Sequence, residues 1–566
     1  MASVSSTSST ASLISASTST SSTSSTSSTT STDDIDWDGL IEEAVAAKLS
    51  KADSIDLKIT DNEAKAAAYQ SMSDLLGNML DAAQSLRAPS GTSNASTDVF
   101  NTRAAYLTAN GDVDASSALA ATVESGTTTG SYELTVTQLA KAHKVTSASV
   151  ATNYTDLGYS GTISLGTSAG GSADIEITED MSLAEIAEAI NGVSDTTGVT
   201  ASVLKVSSSG YQLVLSGKAT GTTITAGGDV LETLGVIDAE GAFADELQAA
   251  QSAIFSVDGI EITSATNDVE DVIDGVTLHL YQTTPDETSI TLEIGTDLGT
   301  VKDAVLALVD AYNAYREFAY ANQQQPTDDN ADTTVLFGDS TLRNINSAVA
   351  SALNTTVDSS ALSLLGLSFD ANNNLKLDED VLDAALLSDL DEIQSLLSFQ
   401  MESSSSSLML LQRGTSVPDA FTMDIATDSS GAITSVSVGG DSSLFTVSGT
   451  RIIGAAGTAY EGFAFVYAGS ASKSVDVSFS TGIAELLYNV AEKATNSSTG
   501  TLTKLVTELD ETNATLEEKS DDIRERAETY RTNLTNRYAN YQAAIESANA
   551  LLDYLETLLD TWNSTS

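Results

Sequence analysis

Residues 502–562 read LTKLVTELDETNATLEEKSDDIRERAETYRTNLTNRYANYQAAIESANALLDYLETLLDTW, without a Pro or a Gly. Apolar side chains recur in this stretch at steps of three and four, which places them on one face of a helix. The stripe consists of Leu505, Leu509, Leu516, Ile523, Tyr530, Leu534, Tyr538, Tyr541, Ile545, Ala548, Leu552, Leu555, Leu559 and Trp562. One continuous helix here is roughly 90 Å long at about 1.5 Å per residue. An apolar stripe of this length predicts a second helix that covers it.

A matching stripe lies at the opposite end of the chain. Asp33, Asp34 and Asp36 are residues that cap a helix start and favour its dipole. From Trp37 the apolar positions again follow sums of three and four, as in a coiled coil. They are Leu40, Ile41, Ala44, Val45, Leu49, Ala52, Ile55, Ile59, Ala66, Tyr69, Leu76, Leu80 and Ala83, and Pro89-Ser90-Gly91 ends the pattern. We therefore expect the two terminal segments to pair.

Between the two ends the apolar period changes to two, which is the period of a strand. The stretch SYELTVT at 131–137 alternates, and Asp258-Gly259 marks a hairpin turn. The predicted fold class is α+β multidomain, with a terminal α-helical coiled-coil stalk formed by the N- and C-terminal segments and central antiparallel β-rich head domains. The expected order is a disordered Ser/Thr-rich leader (1–32), an N-terminal helical stalk segment (33–96), a linker or start of the stalk-to-head connection (97–129), a β-rich head domain (130–240), a second β segment (241–297), a helical stalk-proximal domain (298–400), a β-rich insert (401–480) and a C-terminal helix with coiled-coil stalk (481–566).

Three local patterns predict individual elements. Residues 145–150 alternate as a strand, and residues 378–399 have the spacing of a helix. Ser182 and Glu185 stand at the positions of a capping box, which predicts a short helix over 182–191.

Charge excludes several classes of partner. The chain has 24 Lys plus Arg against 79 Asp plus Glu, for a net charge of −55. A polyanion releases no counterions at phosphates, so nucleic acid is not an expected partner, and neither is an anionic membrane. The chain has no Cys, which excludes disulfides and thiol chemistry. No signal peptide and no apolar run of about 20 residues is recognised.

No constellation of titratable residues indicates an active site. His143 and His279 are far apart in β patterns, and both are expected to be solvent-facing or satisfied strand residues. Asp370–Asp380 superficially suggests a calcium loop, but Leu375 and Val381 stand where an EF-hand needs Gly and Glu, so a hairpin turn capped by Asn is expected. No catalytic, cofactor-binding or metal-binding residue is predicted, and the chain is not expected to be an enzyme.

The chain resembles the flagellar hook-associated protein 2 family, the filament cap proteins. The N-terminal part of the resemblance is carried by DDIDWDGLIEEAVAAKLSKADSI (33–55), AYQSMSDLLGNMLDA, and GSYELTVTQLAKAHKVTSASV (130–150), which looks like a repeat shared with flagellins. FSVDGIEITSATNDVEDVIDGVTLHL (255–280) resembles the hairpin pair that follows. The C-terminal half is carried by FGDSTLRNINSAVASAL, LSLLGLSFDANNNLKLDEDVL, STGIAELLYNVAEKATNSSTGTL and the final coiled coil.

The resemblance implies a structural cap at the distal end of the flagellar filament, which retains exported flagellin and promotes its ordered insertion. It implies a ring-like homo-oligomer that also contacts hook–filament junction proteins. It further implies export through the flagellar type III machinery with a chaperone, without a cleaved signal peptide, to an extracellular position at the filament tip. Two other functions stay open: another axial subunit of the filament or hook–filament junction, and a surface adhesin on a coiled-coil stalk.

The terminal stripes supply the candidate assembly residues. Their outer ends are predicted to form a seam for self-assembly or for a partner, comprising Leu40, Ile41, Val45, Leu49, Leu552, Leu555, Leu559 and Trp562. Their inner parts are predicted to pair within one protomer, through Ile59, Tyr69, Leu76, Leu516, Ile523, Tyr530 and Leu534.

Overall fold

The computed structural model describes residues 36–87, 98–327, 330, 333–357, 359–414, 418 and 420–563. These residues form two compact units. The terminal unit combines residues up to Ala67 with residues from Leu505 onward, and the central unit comprises Ala68–Lys504. The predicted helix cap at Asp33 and Asp34 and the predicted stop at Pro89-Ser90-Gly91 lie outside the described residues.

The helices of the described residues are α1 (Trp37–Leu86), α2 (Ala115–Ala118), α3 (Leu183–Gly192), α4 (Ser194–Thr197), α5 (Asp229–Thr233), α6 (Leu298–Gln323), α7 (Ser340–Leu353), α8 (Glu379–Ser388), α9 (Leu390–Leu397), α10 (Ile483–Thr495) and α11 (Thr501–Asn563). The prediction of one continuous helix over 502–562 is confirmed by α11. At the start of α1 the Gly39 N–H donates to the Asp36 carboxylate over 2.8 Å, so Asp36 acts as the expected cap.

The strands are β1 (Arg103–Asn110), β2 (Leu119–Val123), β3 (Gly130–Gln138), β4 (Ala142–Thr146), β5 (Gly161–Thr167), β6 (Ser172–Ile177), β7 (Val199–Ser207), β8 (Gly210–Thr220), β9 (Ile224–Gly227), β10 (Glu246–Gln248), β11 (Ala253–Val257), β12 (Ile260–Ser264), β13 (Asp268–Ile273), β14 (Val276–Leu280), β15 (Ser289–Thr296), β16 (Leu367–Phe369), β17 (Leu375–Leu377), β18 (Phe399–Ser403), β19 (Leu408–Gln412), β20 (Phe421–Thr427), β21 (Ile433–Val438), β22 (Phe445–Ser448), β23 (Arg451–Gly454), β24 (Ala464–Tyr467) and β25 (Lys473–Thr481). Neighbouring strands pair antiparallel, as predicted.

One core of the central unit lies between a five-stranded sheet (β1-β15-β3-β11-β12) and a three-stranded sheet (β13-β14-β2). Along β15, Ile290, Leu292 and Ile294 are buried, whereas Glu293 is exposed, which is the alternation of a sheet with one covered face. The predicted hairpin turn joins β11 to β12: Val257 pairs with Ile260, and Asp258 and Gly259 both have positive φ.

A second core lies among a four-stranded sheet (β10-β4-β8-β7), a three-stranded sheet (β6-β5-β9) and α3. The capping box is confirmed, because Ser182 accepts from the Glu185 N–H and the Glu185 carboxylate accepts from the Ser182 N–H. On α3 the buried side chains are Leu183, Ile186, Ala187 and Ile190, the face that packs on the sheets.

The segment from β18 to β25 forms two four-stranded sheets, ordered β18-β25-β20-β21 and β19-β24-β23-β22. Their shared core is aromatic: the rings of Phe463 and Phe479 lie 5.0 Å apart, and those of Phe421 and Tyr460 lie 4.9 Å apart in an edge-to-face arrangement. Six of the twelve Phe residues of the chain lie in this segment: Phe399, Phe421, Phe445, Phe463, Phe465 and Phe479.

Several local expectations are corrected. Residues 98–129, expected as a linker or the start of the stalk-to-head connection, contain β1 and β2, which complete the two sheets of the first core. The strand expected at 145–150 is β4, which ends at Thr146. The helix expected over 378–399 is split into α8 and α9 at Asp389. Residues 370–374 form the expected hairpin turn between β16 and β17, but the capping side chain is Asp370, which accepts from the Asn372 and Asn374 N–H groups over 2.8 Å each.

Candidate assembly surface

In the terminal unit α1 and α11 pack against each other in opposite directions. Ile41 and Val45 of α1 are buried against Ala527 and Leu534 of α11. Farther along α1, the Asn62 side chain donates to the Asn513 side chain over 2.8 Å. Residue numbers therefore rise along α1 as they fall along α11, which defines an antiparallel pair.

Aromatic rings form the end of this pair. The rings of Trp37 and Tyr538 lie 5.0 Å apart, and the Lys48 ammonium lies 5.0 Å from the centre of the Tyr530 ring. The Arg531 guanidinium forms an ion pair with Glu42 at 2.9 Å. These aromatic and cationic side chains pack α1 against α11 near the start of α1.

A polar cluster fixes the register farther along. The Ser520 hydroxyl donates to the Asp56 carboxylate over 2.7 Å, and the Arg524 guanidinium donates to the same carboxylate. The Ser520 hydroxyl and the Arg524 guanidinium hold the pKa of the Asp56 carboxyl below its ordinary value. Ser520 is buried and the Asp56 and Arg524 side chains are partly exposed at the edge of the seam, so a slipped pairing would leave the buried Ser520 hydroxyl without this acceptor.

Beyond Tyr538 the α11 helix runs on to Asn563, and its apolar side chains are exposed. We call residues 541–563 the α11 tail. Ile545 is half-buried, whereas the other large apolar side chains of the tail are each at least 45 % exposed: Tyr541, Leu551, Leu552, Tyr554, Leu555, Leu558, Leu559 and Trp562. A contiguous apolar face of this kind marks an interaction surface.

The charges of the α11 tail are all negative. They are Glu546, Asp553, Glu556 and Asp560, and no Lys, Arg or His follows Arg537 in the sequence. The tail is thus an amphipathic helix with a purely acidic polar side.

The predicted seam residues of α1 and those of α11 differ in how far they are exposed. Leu552, Leu555, Leu559 and Trp562 lie on the exposed tail, as a partner seam requires. Leu40 is 47 % exposed and Leu49 is half-buried. Ile41 and Val45, however, are 6 % and 2 % exposed within their own protomer, so the assignment of these two side chains to a partner seam is corrected. They point along the helix face that meets α11, where burial against Leu534 removes them from the surface.

The residues predicted to pair within the protomer are all covered to some degree. Ile59, Leu516, Ile523 and Tyr530 are half-buried and Leu534 is buried in the terminal unit. Tyr69 and Leu76 are buried in the central unit. Sequence reasoning missed Leu551, Tyr554 and Leu558 of the tail, although their own steps of three and four could have revealed a second stripe beside the first.

The central unit contains a buried charge cluster that sequence reasoning also missed. The Glu485 carboxylate lies 2.7 Å from the Arg87 guanidinium and 2.6 Å from that of Arg413. The Arg87 guanidinium also lies 3.6 Å from the centre of the Tyr488 ring. Burial lowers the pKa of Arg413. These contacts join Arg87, which directly follows α1, to Glu485 of α10 and to Arg413, which follows β19, so the cluster holds three separate parts of the sequence together.

The two histidines have structural partners. His143 is buried, its Nδ1 accepts from the Ile224 N–H over 2.9 Å, and its Nε2 lies 2.8 Å from Glu246. Nδ1 of His279 lies 2.7 Å from Asp268. In the described ranges no group of three or more His, Cys, Asp or Glu residues is arranged to hold a metal ion. No helix among the described residues combines the length and apolarity needed to cross a membrane.

These features define a multidomain α+β protein with antiparallel sheets in the centre and paired terminal helices. Residues 250–550 match the family described as flagellar hook-associated protein 2 C-terminus, and residues 33–143 match its N-terminus. The first match covers more than half of the chain, so this protein belongs to the flagellar hook-associated protein 2 family.

Residues 162–219 match the flagellin hook IN motif. This match lies on β5 to β8, whereas residues 130–143 of the stretch that resembles a flagellin repeat fall within the match to the N-terminal family.

Named relatives agree with this family. The A-type flagellar hook-associated protein 2 of Pseudomonas aeruginosa is 29 % identical over 292 residues, which cover 47 % of this chain and 61 % of the relative. The flagellar hook-associated protein 2 of Escherichia coli K12 is 27 % identical over 318 residues, covering 52 % of this chain and 67 % of the relative. The chain thus spans about three fifths of the length of the first relative. The crystal structure of the flagellar cap protein FliD D1-D2-D3 domains from Escherichia coli is 27 % identical and covers 58 % of this chain and 90 % of that one, with a TM-score of 0.43.

Proposed function

We propose that this protein is a structural cap at the distal end of a bacterial flagellar filament, where it retains exported flagellin and promotes its ordered insertion. The observation that carries the proposal is the match of residues 250–550 to the C-terminal part of the hook-associated protein 2 family, preceded in the chain by the match to its N-terminal part. Antiparallel sheets, paired helices and an exposed apolar tail are the parts of an assembling subunit.

The partners follow from this position. The protein forms a ring-like homo-oligomer and contacts flagellin and hook–filament junction proteins. It leaves the cell through the flagellar type III machinery with the help of a chaperone, and it acts outside the cell at the filament tip. The α11 tail, with Leu552, Leu555, Leu559 and Trp562, supplies the contact surface to other subunits, because these apolar side chains are exposed in the single chain.

Deletion of the gene, followed by electron microscopy of the cells and assay of the medium, tests the proposal. The expected result is hooks without filaments and flagellin monomers in the medium, because exported subunits are no longer retained. Restoration of filaments by the intact gene on a plasmid is the control. Intact filaments and normal swimming in the deletion strain would contradict the proposal and favour the adhesin alternative.

Copy number separates the cap from another axial subunit. A cap is present a few times in each filament, whereas a filament subunit recurs along its whole length. Quantitative mass spectrometry of purified filaments should therefore find this chain at a small fraction of the flagellin amount. Comparable amounts would indicate a filament subunit instead.

A further inference from the structure

A groove lies between α7 and α10 in the central unit. Its volume is about 650 Å³, which is enough for several leucine side chains. Ile345 and Ala348 of α7 line it together with Leu486 and Val490 of α10, and all four side chains are half-buried. An open groove with apolar walls on two helices is a receptor for the apolar face of a third helix.

The charge of the groove is unusual for this chain. Among the described residues that line it there is no carboxylate, although the chain has 79 Asp plus Glu. The one charged lining residue is Lys493, which is exposed and forms no ion pair with another residue in the described part of the chain. The groove therefore favours a helix that combines apolar side chains with a negative charge at the edge of its apolar face.

The α11 tail has this combination of properties. Leu551, Leu555 and Leu558 follow one another at steps of four and three, so they share one helix face. Glu556 stands four residues after Leu552 and three before Leu559, which places its carboxylate at the border of the apolar face. Two tails packed together bring only negative charges close to one another, whereas a tail in the groove brings a carboxylate near an ammonium.

We propose that the α11 tail of one copy of this chain docks in the α7–α10 groove of a second copy, with Lys493 pairing with Glu556. Groove and tail are different surfaces of the same chain, so the contact is head-to-tail. Repeated from copy to copy, such a contact generates a ring when the rotation between neighbouring copies brings the last copy back to the first. The inference deepens the proposed function and rests on the homo-oligomer proposed there.

Two variants of the full chain break the contact from opposite sides. Ala348→Trp fills the groove with an indole, and Leu555→Asp with Leu558→Asp places charges on the apolar face of the tail. Each variant alone should associate at least about tenfold more weakly than the wild type in sedimentation velocity, because a central anchor is lost. Ala350→Trp is the matched control: it is exposed on the same helix outside the groove, and it should leave association unchanged. Circular dichroism and thermal melting verify that every variant is folded.

Mixing the two variants gives the decisive result. The groove-filled chain keeps an intact tail and the tail variant keeps an intact groove, so an equimolar mixture should form 1:1 heterodimers at concentrations where each chain alone is largely monomeric. Tail-to-tail pairing predicts no such complementation, and it predicts that Ala348→Trp associates as the wild type does. Either of these outcomes overturns the inference, as does a wild-type chain that stays monomeric at its highest soluble concentration in screening salt.

A charge exchange tests the Lys493 pair. Lys493→Glu should weaken association by about fivefold, within the range of a surface ion pair, and addition of Glu556→Lys should restore it. Glu546→Lys changes the net charge equally but lies away from the apolar face, so it should not restore association. Equal rescue by both variants would contradict the pairing. Normal filament capping by Ala348→Trp would overturn the groove contact and leave the proposed cap function intact. The cap function is tested separately, by whether the gene deletion loses its filaments.

Discussion

The Tyr69 hydroxyl on α1 donates a hydrogen bond to the Asp339 carboxylate over 2.8 Å, and the same carboxylate caps α7 by accepting from the Thr341 and Leu342 N–H groups. One carboxylate thus links α1 to the start of α7 in the central unit, across 270 residues of sequence. Because α7 also forms one wall of the groove, this link positions the wall as well as the helix.

Tyr69→Phe should lower the free energy of unfolding of the central unit by about 1–2 kcal/mol, since it removes a hydrogen bond to a charged group and keeps the ring. Burial and the hydrogen bond to Asp339 raise the pKa of the Tyr69 phenol. A raised pKa contributes stability that is complete below the ordinary tyrosine value of about 10 and is lost as pH rises through the folded-state value. Denaturant unfolding should therefore show that wild type and variant converge at alkaline pH. Tyr154→Phe, at a residue that is 82 % exposed, is the control, and a constant difference across pH would contradict the link.

Glu485→Gln should destabilise the central unit by about 3–5 kcal/mol, because it leaves the buried guanidinium groups of Arg87 and Arg413 without an anion. Thermal and urea unfolding measure the effect. Glu492→Gln on the same helix retains an oxygen that accepts from Asn496 and should change the stability little. A loss below about 1 kcal/mol for Glu485→Gln would show that water satisfies the two arginines.

His143 should carry its ring proton on Nε2, since Nδ1 accepts from the Ile224 N–H. Nitrogen-15 chemical shifts report the tautomer directly. His143→Phe should cost about 1–3 kcal/mol, because the Ile224 N–H is left buried without an acceptor. His279→Gln is the control, since this ring is partly exposed and bonds only to side chains. A proton on Nδ1 would contradict the arrangement.

Deletion of residues 552–566 should leave a folded, exportable protein that no longer caps filaments, because the exposed leucines are lost and the buried cluster around Ile41 and Leu534 is retained. Motility plates and immunoblots of the medium measure the two properties separately. Replacement of residues 564–566 alone is the matched control. Normal swimming of the deletion strain would remove the tail from the assembly surface.

Added NaCl should raise the melting temperature and strengthen self-association. With a net charge of −55, the carboxylates repel one another within one chain and between copies, and salt screens this repulsion. At about 0.15 M salt the Debye length is already near 8 Å, so most of the gain should occur below that concentration. Choline chloride at equal ionic strength separates screening from specific sodium binding. A melting temperature that does not change with salt concentration would show that the carboxylates are too far apart to repel one another.

Much of the fold was determined by local patterns in the sequence. The unbroken apolar stripe of residues 502–562 predicts α11, Ser182 and Glu185 predict the start of α3, and Asp258-Gly259 predicts the turn between β11 and β12. Each is a local property, since helix period, capping chemistry and positive φ depend on neighbours within a few residues. The fold class and the family resemblance follow from the order of these patterns.

Only the tertiary structure decided which apolar faces are covered. Ile41 and Leu552 both belong to stripes with helical spacing in the sequence. Ile41 is buried against α11, whereas Leu552 is exposed because α11 runs on past the first residues of α1. β1 and β2 were not predicted because a strand gains most of its stability from the sheet that it completes, and their partners β15 and β14 are far away in the sequence. Arg87, Arg413 and Glu485 meet only because the end of α1, the segment after β19 and α10 converge. Arg87 is 398 positions from Glu485 and Arg413 is 72 positions from it, and no local spacing along the chain encodes contacts over such separations.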